Sequence, residues 1–222
     1  MTSLLMSSYL ATYCRYVQNA AIYSQALRDF KAQLTGNSDL QERRILKPFF
    51  EHSRQLCAFI GTYVPDIGPA NLLAYELEVA GDFVADIVVG SRESQTFCMI
   101  ELEDACPPGI FVPAGRRIRE WNSRFEHGFS QLVDWFYALD DLKGTERFAR
   151  DFGYGHAKFH GLLVIGRSDD VAEEDRNRLR WRAERVLVDS HPVHCVTYDE
   201  LHQHLERRLG YYLAAARGAD SR

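Results

Sequence analysis

The sequence has no long apolar run. Nowhere in its 222 residues is there a stretch approaching the roughly 20 consecutive apolar positions that span a bilayer, so no membrane-spanning helix is expected. The opening Met1-Thr2-Ser3-Leu4-Leu5-Met6 lacks a basic start. Ser7, Ser8, Thr12 and Arg15 soon interrupt its apolar residues, so it reads as the first turns of a helix rather than a leader. Cysteine is scarce and unpatterned. Cys14, Cys57, Cys98, Cys106 and Cys195 are odd in number and include no CxxC pair. That excludes a disulfide framework or a zinc knuckle and fits a reducing cytosol, so a cytoplasmic protein is expected. Nor is there an excess of positive charge. Lys and Arg total 26 against 31 for Asp and Glu, a formal charge of −5. Any polyanion binding must therefore rest on a local patch or on a metal ion. No GxxxxGKT loop or Gly-x-Ser-x-Gly elbow occurs, and Gly153-Tyr154-Gly155 is too short to cradle phosphate. Those absences remove P-loop nucleotide hydrolysis and serine-esterase chemistry.

What remains is an ordinary globular composition, 46% hydrophobic and 26% charged. Apolar positions Leu10, Tyr13, Val17, Ala20, Tyr23, Leu27 and Phe30 recur at helical spacing, and Gly36-Asn37-Ser38 breaks the run. This predicts one long amphipathic helix over residues 3–35. Ser38 or Asp39 would cap a second helix to about Ile60, with Pro48 as an irregularity near its middle. Gly61 to Pro69 is a loop. Strands are predicted over Leu72–Val79, Gly81–Gly90 and Phe97–Ala105, then a helix over Arg117–Asp140. Phe159–Gly166 follows as a buried strand, Asp169–Val188 as a helix, His194–Tyr198 as a short strand and Asp199–Ala215 as a last helix. A meander followed by alternating helix and strand gives an α/β fold, a mixed central sheet with helices on both faces. Residues 1–37 read as an N-terminal helical extension and residues 38–222 as the α/β domain. The amphipathic first helix offers a surface for self-association, so a homo-oligomer is expected.

The chemistry concentrates in two neighbouring strands. Side chains alternate with period two, so Glu101 and Glu103 share one face at the end of the second, and Asp86 can lie opposite on the first. Acids at strand ends are commonly just solvated. Here Val84, Ile87, Val88 and Val89 surround Asp86, and Met99 and Ile100 precede Glu101, so burial is expected, and buried carboxylates need positive partners. A hard cation such as Mg²⁺ or Mn²⁺ would satisfy them and carry the water that attacks. Glu42, Glu51 or Glu76 could complete the shell, and the sequence does not choose among them.

Five blocks, in order, carry a resemblance: Phe83-Val84-Ala85-Asp86-Ile87-Val88-Val89; Met99-Ile100-Glu101-Leu102-Glu103-Asp104-Ala105; Phe125-Glu126-His127-Gly128-Phe129-Ser130-Gln131-Leu132-Val133-Asp134-Trp135; Leu163-Val164-Ile165-Gly166-Arg167; and Val196-Thr197-Tyr198-Asp199-Glu200-Leu201. Over about residues 40–205 the chain resembles the Shedu anti-phage nuclease domain within the PD-(D/E)XK nuclease superfamily. The resemblance implies Mg²⁺-dependent cleavage of DNA, with Asp86 and Glu101 as metal ligands and Gln131 supporting the site from the following helix. Glu103 stands where the superfamily usually has a catalytic lysine. Some active restriction enzymes of the superfamily carry Glu there, and a carboxylate can act only as a base or a further ligand. The three acids together are thus the expected metal-binding and catalytic set. Arg124, in a polar seam with Arg117 and Gln131, and Lys158 are the possible phosphate-binding cations, each more simply read as solvated surface.

Other constellations read as structure. His156 with His160, and His202 with His204, lack HExxH spacing or a cysteine partner. Trp121 and Trp135 could stack on bases, but their proximity to the apolar stripe of the helix reads as core. The Arg176–Arg185 stretch is interleaved with acids, as in ordinary surface pairing.

Overall fold

The computed structural model describes residues 14–15, 19–68, 70–81, 83–115, 117–153, 157–188 and 190–219. Most of the expected helix over residues 3–18, and His156, lie outside the described residues.

Among those residues the first element is a two-residue strand, β1 (Cys14–Arg15), paired antiparallel with β2 (Leu72–Ala80). This corrects the helix predicted through that segment. The helix itself, α1 (Ala20–Gly36), begins where the Asn19 side chain accepts hydrogen bonds from the Ala21 and Ile22 amides. Its buried face is Tyr23, Leu27, Phe30 and Leu34.

The predicted second helix is in three pieces: a π-helical turn over Glu42–Leu46, then α2 (Lys47–His52) and α3 (Arg54–Ile60). Pro48 lies in the first turn of α2, where no amide donor is needed, and so causes no break inside a helix. The break falls at Ser53 (φ −102°, ψ 48°).

The sheet comprises β2 (Leu72–Ala80), β3 (Phe83–Ser91), β4 (Thr96–Leu102), β7 (Lys158–Val164), β9 (His191–Val196) and β8 (Leu187–Val188), in the order β1-β2-β3-β4-β7-β9-β8. The pairs β1-β2, β2-β3 and β3-β4 are antiparallel, β4-β7 and β7-β9 are parallel, and β8 closes on β9 as an antiparallel hairpin. The mixed sheet expected from the element order is present. Every residue of β4 is buried, which is why Phe97–Ile100 reads as a continuous apolar run instead of alternating.

Helices cover both faces. On one, α1, α2, α3 and the last helix α7 (Tyr198–Ala219) pack Phe30, Phe50, Phe59, Tyr198 and Leu205 onto Ile87, Ile100 and Leu162. On the other, α4 (Ser123–Leu142), α5 (Glu146–Phe152) and α6 (Glu173–Arg185) pack Phe125, Leu132, Trp135 and Phe148 onto Val88, Met99 and Leu163.

Three further elements differ from the sequence reading. A small hairpin of β5 (Phe111–Val112) and β6 (Glu120–Trp121) precedes α4. The helix therefore starts only at Ser123, where the Asn122 side chain caps the Arg124 amide. Arg117 thus lies outside the helix and is not on a seam with Arg124 and Gln131. Trp121 is a strand residue stacked on Phe125 at 4.8 Å, whereas Trp135 is core, 1% exposed. Helix α5, capped by Thr145 through its bond from the Phe148 amide, has no counterpart in the sequence reading. The helix expected from Asp169 ends at Arg185, because Leu187–Val188 leaves it to form the β8 hairpin.

Candidate active site

Glu101 follows Phe97 and Met99 at the two-residue period, and both of those lie in the α4-covered core, so Glu101 and Glu103 point to that face. A close approach by α4 agrees with this. A Cβ built on Gly128 would stand 2.7 Å from Leu163 Cδ1 and 3.2 Å from Glu103 Cγ. Only glycine lets the helix come so near, despite its cost in a helix interior. Gly128→Val is expected to destabilise the protein by about 1–3 kcal/mol through overpacking at Leu163 and Glu103. Chemical denaturation measures it, and an unchanged midpoint would show that the helix can shift freely.

Asp86 stands where β3 and β4 part. Ile87 and Ile100 are their last pair in register. Beyond it the Leu102 amide donates to Asp86 Oδ2 at 3.0 Å, so a carboxylate takes the place of a strand carbonyl. Across β2 the register passes from Tyr75–Ile87 to Leu77–Ala85. The skipped Glu76 has φ +45°, a left-handed conformation that costs a non-glycine residue about 1–2 kcal/mol. Lys47, Glu51, Tyr75, Glu76, Asp86 and Leu102 line the small pocket at this point.

The far end of β4 is clamped from several sides. The Glu103 amide donates to the Val164 carbonyl at 2.9 Å and Tyr198 Oη to the Glu103 carbonyl at 2.8 Å. The Ala105 amide donates to Leu40 O, and the Glu42 amide to Asp104 Oδ1 at 2.6 Å. These bonds bring the segment before α2 against the acids.

The residue that sequence reasoning missed is Lys47. Its Nζ lies 2.6 Å from Asp86 Oδ1 and 2.8 Å from Glu42 Oε1. Burial lowers the Lys47 pKa, but Asp86 and Glu42 more than offset this and hold it above the ordinary lysine value. Burial also raises the Asp86 carboxyl, opposed by Lys47 and the Leu102 amide. Glu101 has no such relief. It is 5% exposed, its Oε2 has no hydrogen-bond partner, and burial, then the Asp86 charge, pushes its pKa up to about 10. Burial, then the Glu42 charge, pushes Glu103 up to about 7, with Arg124 opposing.

The two expected phosphate-binding cations separate. Arg124 is beside the acids, its Nη1 2.5 Å from Asp104 Oδ2 and its Nε 3.9 Å from Glu103 Oε2. Lys158 is not. It pairs in register with Thr96, at the opposite end of β4 from Glu101, and five residues of strand span about 16 Å. Its amine faces Asp66 at 3.4 Å. Gln131 is one turn beyond Gly128 on α4, and its Oε1 is buried without a hydrogen-bond partner.

A hard divalent cation fits this donor chemistry, since the side chains offer oxygen only and one buried carboxylate oxygen is unsatisfied. The acids do not yet enclose one. Among the described residues no group of three or more His, Cys, Asp or Glu side chains could hold a metal ion, and Lys47 already holds Asp86. His202 and His204 each have a structural neighbour. His202 bonds to the Leu27 carbonyl, whereas His204 packs on Tyr63. Two arginines of α6 depart from simple surface pairing: Arg178 bonds to the buried Asp175 and Arg182 to Glu126, and both guanidiniums lie over the Trp121 ring. Among the described residues no helix is long and apolar enough to cross a membrane.

No curated protein matches the chain. Residues 39–202 match the family described as Shedu protein SduA, C-terminal. The match takes in β2 to β9 and the acids at the end of β4. The chain belongs to this Shedu family, which points to a role in anti-phage defence.

Proposed function

We propose that the protein is a metal-dependent DNA endonuclease of an anti-phage defence system, with Asp86, Glu101 and Glu103 as the acids that would hold one or two Mg²⁺ or Mn²⁺ ions. The observation that carries this reading is Glu101, a carboxylate buried beside two others with an unsatisfied oxygen. Such a group is costly unless a positive charge joins it, and so marks a functional site. When bound, the metal would supply an activated water and neutralise charge developing on the scissile phosphate. The chain's own residues do the rest. Glu103, with its pKa pushed up to about 7, is poised to take a proton from the attacking water as the water oxygen bonds to phosphorus and the bond from phosphorus to the leaving sugar oxygen breaks, that oxygen taking a proton from solvent. Arg124 orients Asp104 and Glu103, and Gln131 supports the site from α4. The protein would act in the cytoplasm, with DNA as substrate and a second copy of the chain as partner.

A second reading has its own motivation. Lys47 already neutralises Asp86, as it would in a nuclease fold that no longer cuts and serves as a binding or assembly module. Incubating the purified protein with supercoiled, linear and single-stranded DNA, in Mg²⁺, Mn²⁺ or EDTA, separates the two. Cutting that needs the metal and disappears in Asp86→Ala is expected. No cleavage of any form, together with no metal binding by calorimetry, would leave only the second reading.

A further inference from the structure

Glu42 and Lys47 are five positions apart, and in an α-helix such positions face about 140° apart. Here they lie together because the turn is π-helical. The Leu46 amide donates to Gln41 O at 3.2 Å, and the Lys47 amide to Glu42 O. Such turns are rare and recur at functional sites. This one is fixed on both sides: upstream by the Leu40–Ala105 bridge and the bond from the Glu42 amide to Asp104, and downstream by Pro48 in the first turn of α2. Its effect is to deliver one ammonium group to the split between β3 and β4.

We propose that Lys47 is a catalytic residue of this site, the cation that donates a hydrogen bond to a non-bridging oxygen of the scissile phosphate. The inference rests on the nuclease reading. An ammonium has three donors, and Asp86 and Glu42 take two of them. The side chain keeps 25% of its surface exposed beside the pocket of Asp86, Glu51 and Glu76, so a third donor can be reached by an anion. Arg124 stands elsewhere, against Asp104 and Glu103 rather than at Asp86. Lys158 is too distant. Of the basic side chains described near the acids, Lys47 alone combines contact with Asp86 and access from solvent. A phosphate oxygen gaining charge in the transition state is stabilised by such a fixed donor.

Lys47→Gln, Lys47→Arg and Lys47→Ala are compared with the wild type in two assays, after circular dichroism and thermal melting have shown that each is folded. In single-turnover cleavage, Lys47→Gln is expected to lower the rate constant at least 100-fold, Lys47→Arg to recover at least 10-fold of that loss, and methylamine to rescue Lys47→Ala. Cleavage by Lys47→Gln within threefold of wild type overturns the proposal. So does an equal loss in all three variants without rescue, which is what a purely structural role gives. The second assay measures affinity for a DNA duplex in Ca²⁺, where binding is read without cutting, and Lys47→Gln is expected to weaken it at least threefold. If wild-type protein cuts nothing but this difference persists, the nuclease reading fails and the phosphate contact of Lys47 stands. If neither cutting nor the difference is seen, both fail.

Discussion

Glu101→Gln protein is expected to melt higher than the wild type at pH 8 in the absence of metal, and to cut no DNA. The wild-type carboxyl titrates near 10 in the folded state and near 4.5 when unfolded, so the folded state binds its proton more tightly. A carboxyl shifted upward contributes fully to stability below its unfolded pKa, and that contribution is lost as pH rises towards the folded pKa. By pH 7 the loss is about 3 kcal/mol, at 1.36 kcal/mol per unit. Glutamine has nearly the same shape and does not titrate, so the variant escapes this loss. The gain should be near zero at pH 4, grow through neutrality, and reach roughly 10–20 °C in melting temperature at pH 8. Glu103, near 7, adds a smaller decline of the same sign to both proteins between about pH 4.5 and 7. Cleavage should fall by about a thousandfold or more, equivalent to about 4 kcal/mol of transition-state stabilisation. A gap between the two melting curves that does not widen with pH would mean that Glu101 is relieved by something other than protonation.

Phe30→Ala is expected to cost about 3–5 kcal/mol in chemical denaturation, among the largest effects for one core truncation. Phe30 is fully buried, and its ring contacts Phe49, Phe50, Tyr198 and His202 at 5.4–6.4 Å between centroids. It joins α1 to the helix that carries Lys47 and to Tyr198, which bonds the Glu103 carbonyl. The loss should therefore come in a single transition that takes the acid site with it. A cost below 1 kcal/mol, or a separate early transition for α1, would show that this helix is an appendage with its own stability.

How much of this was legible in the sequence depends on the range of the signal. Asp86, Glu101 and Glu103 could be grouped because strand alternation is local and the apolar residues between them imply burial. The start of α4 was misplaced because Trp121 continues the apolar stripe of Phe125 and Phe129. Its ring does stack on Phe125, but from a strand. Asn122-Ser123 was the available cap signal. Gly128 carried a hint too, since a glycine inside a strong helical pattern implies a close neighbour. Lys47 could not have been found this way. Its place depends on a π turn, which blurs the 3.6-residue period, and on contacts with residues some 40 to 60 positions later. Nor could periodicity show that Lys158, one strand away from Glu101, sits at the wrong end of it, because the parallel register of β4 and β7 is a tertiary fact.

The clamp on β4 also sets an order of events during synthesis. A chain emerging from the ribosome presents Lys47 first, then Asp86 and Glu101, then Arg124, and only last Tyr198, whose hydroxyl holds the Glu103 carbonyl. A nascent chain stalled between α4 and α7 carries all three acids, yet has an open hydrophobic layer where α7 belongs and lacks the Tyr198 anchor on the strand end that bears Glu103. Domains fold as units once their sequence is available, so the acid cluster gains its last anchor only as α7 docks, and a product truncated before α7 lacks the bond from Tyr198 to the Glu103 carbonyl.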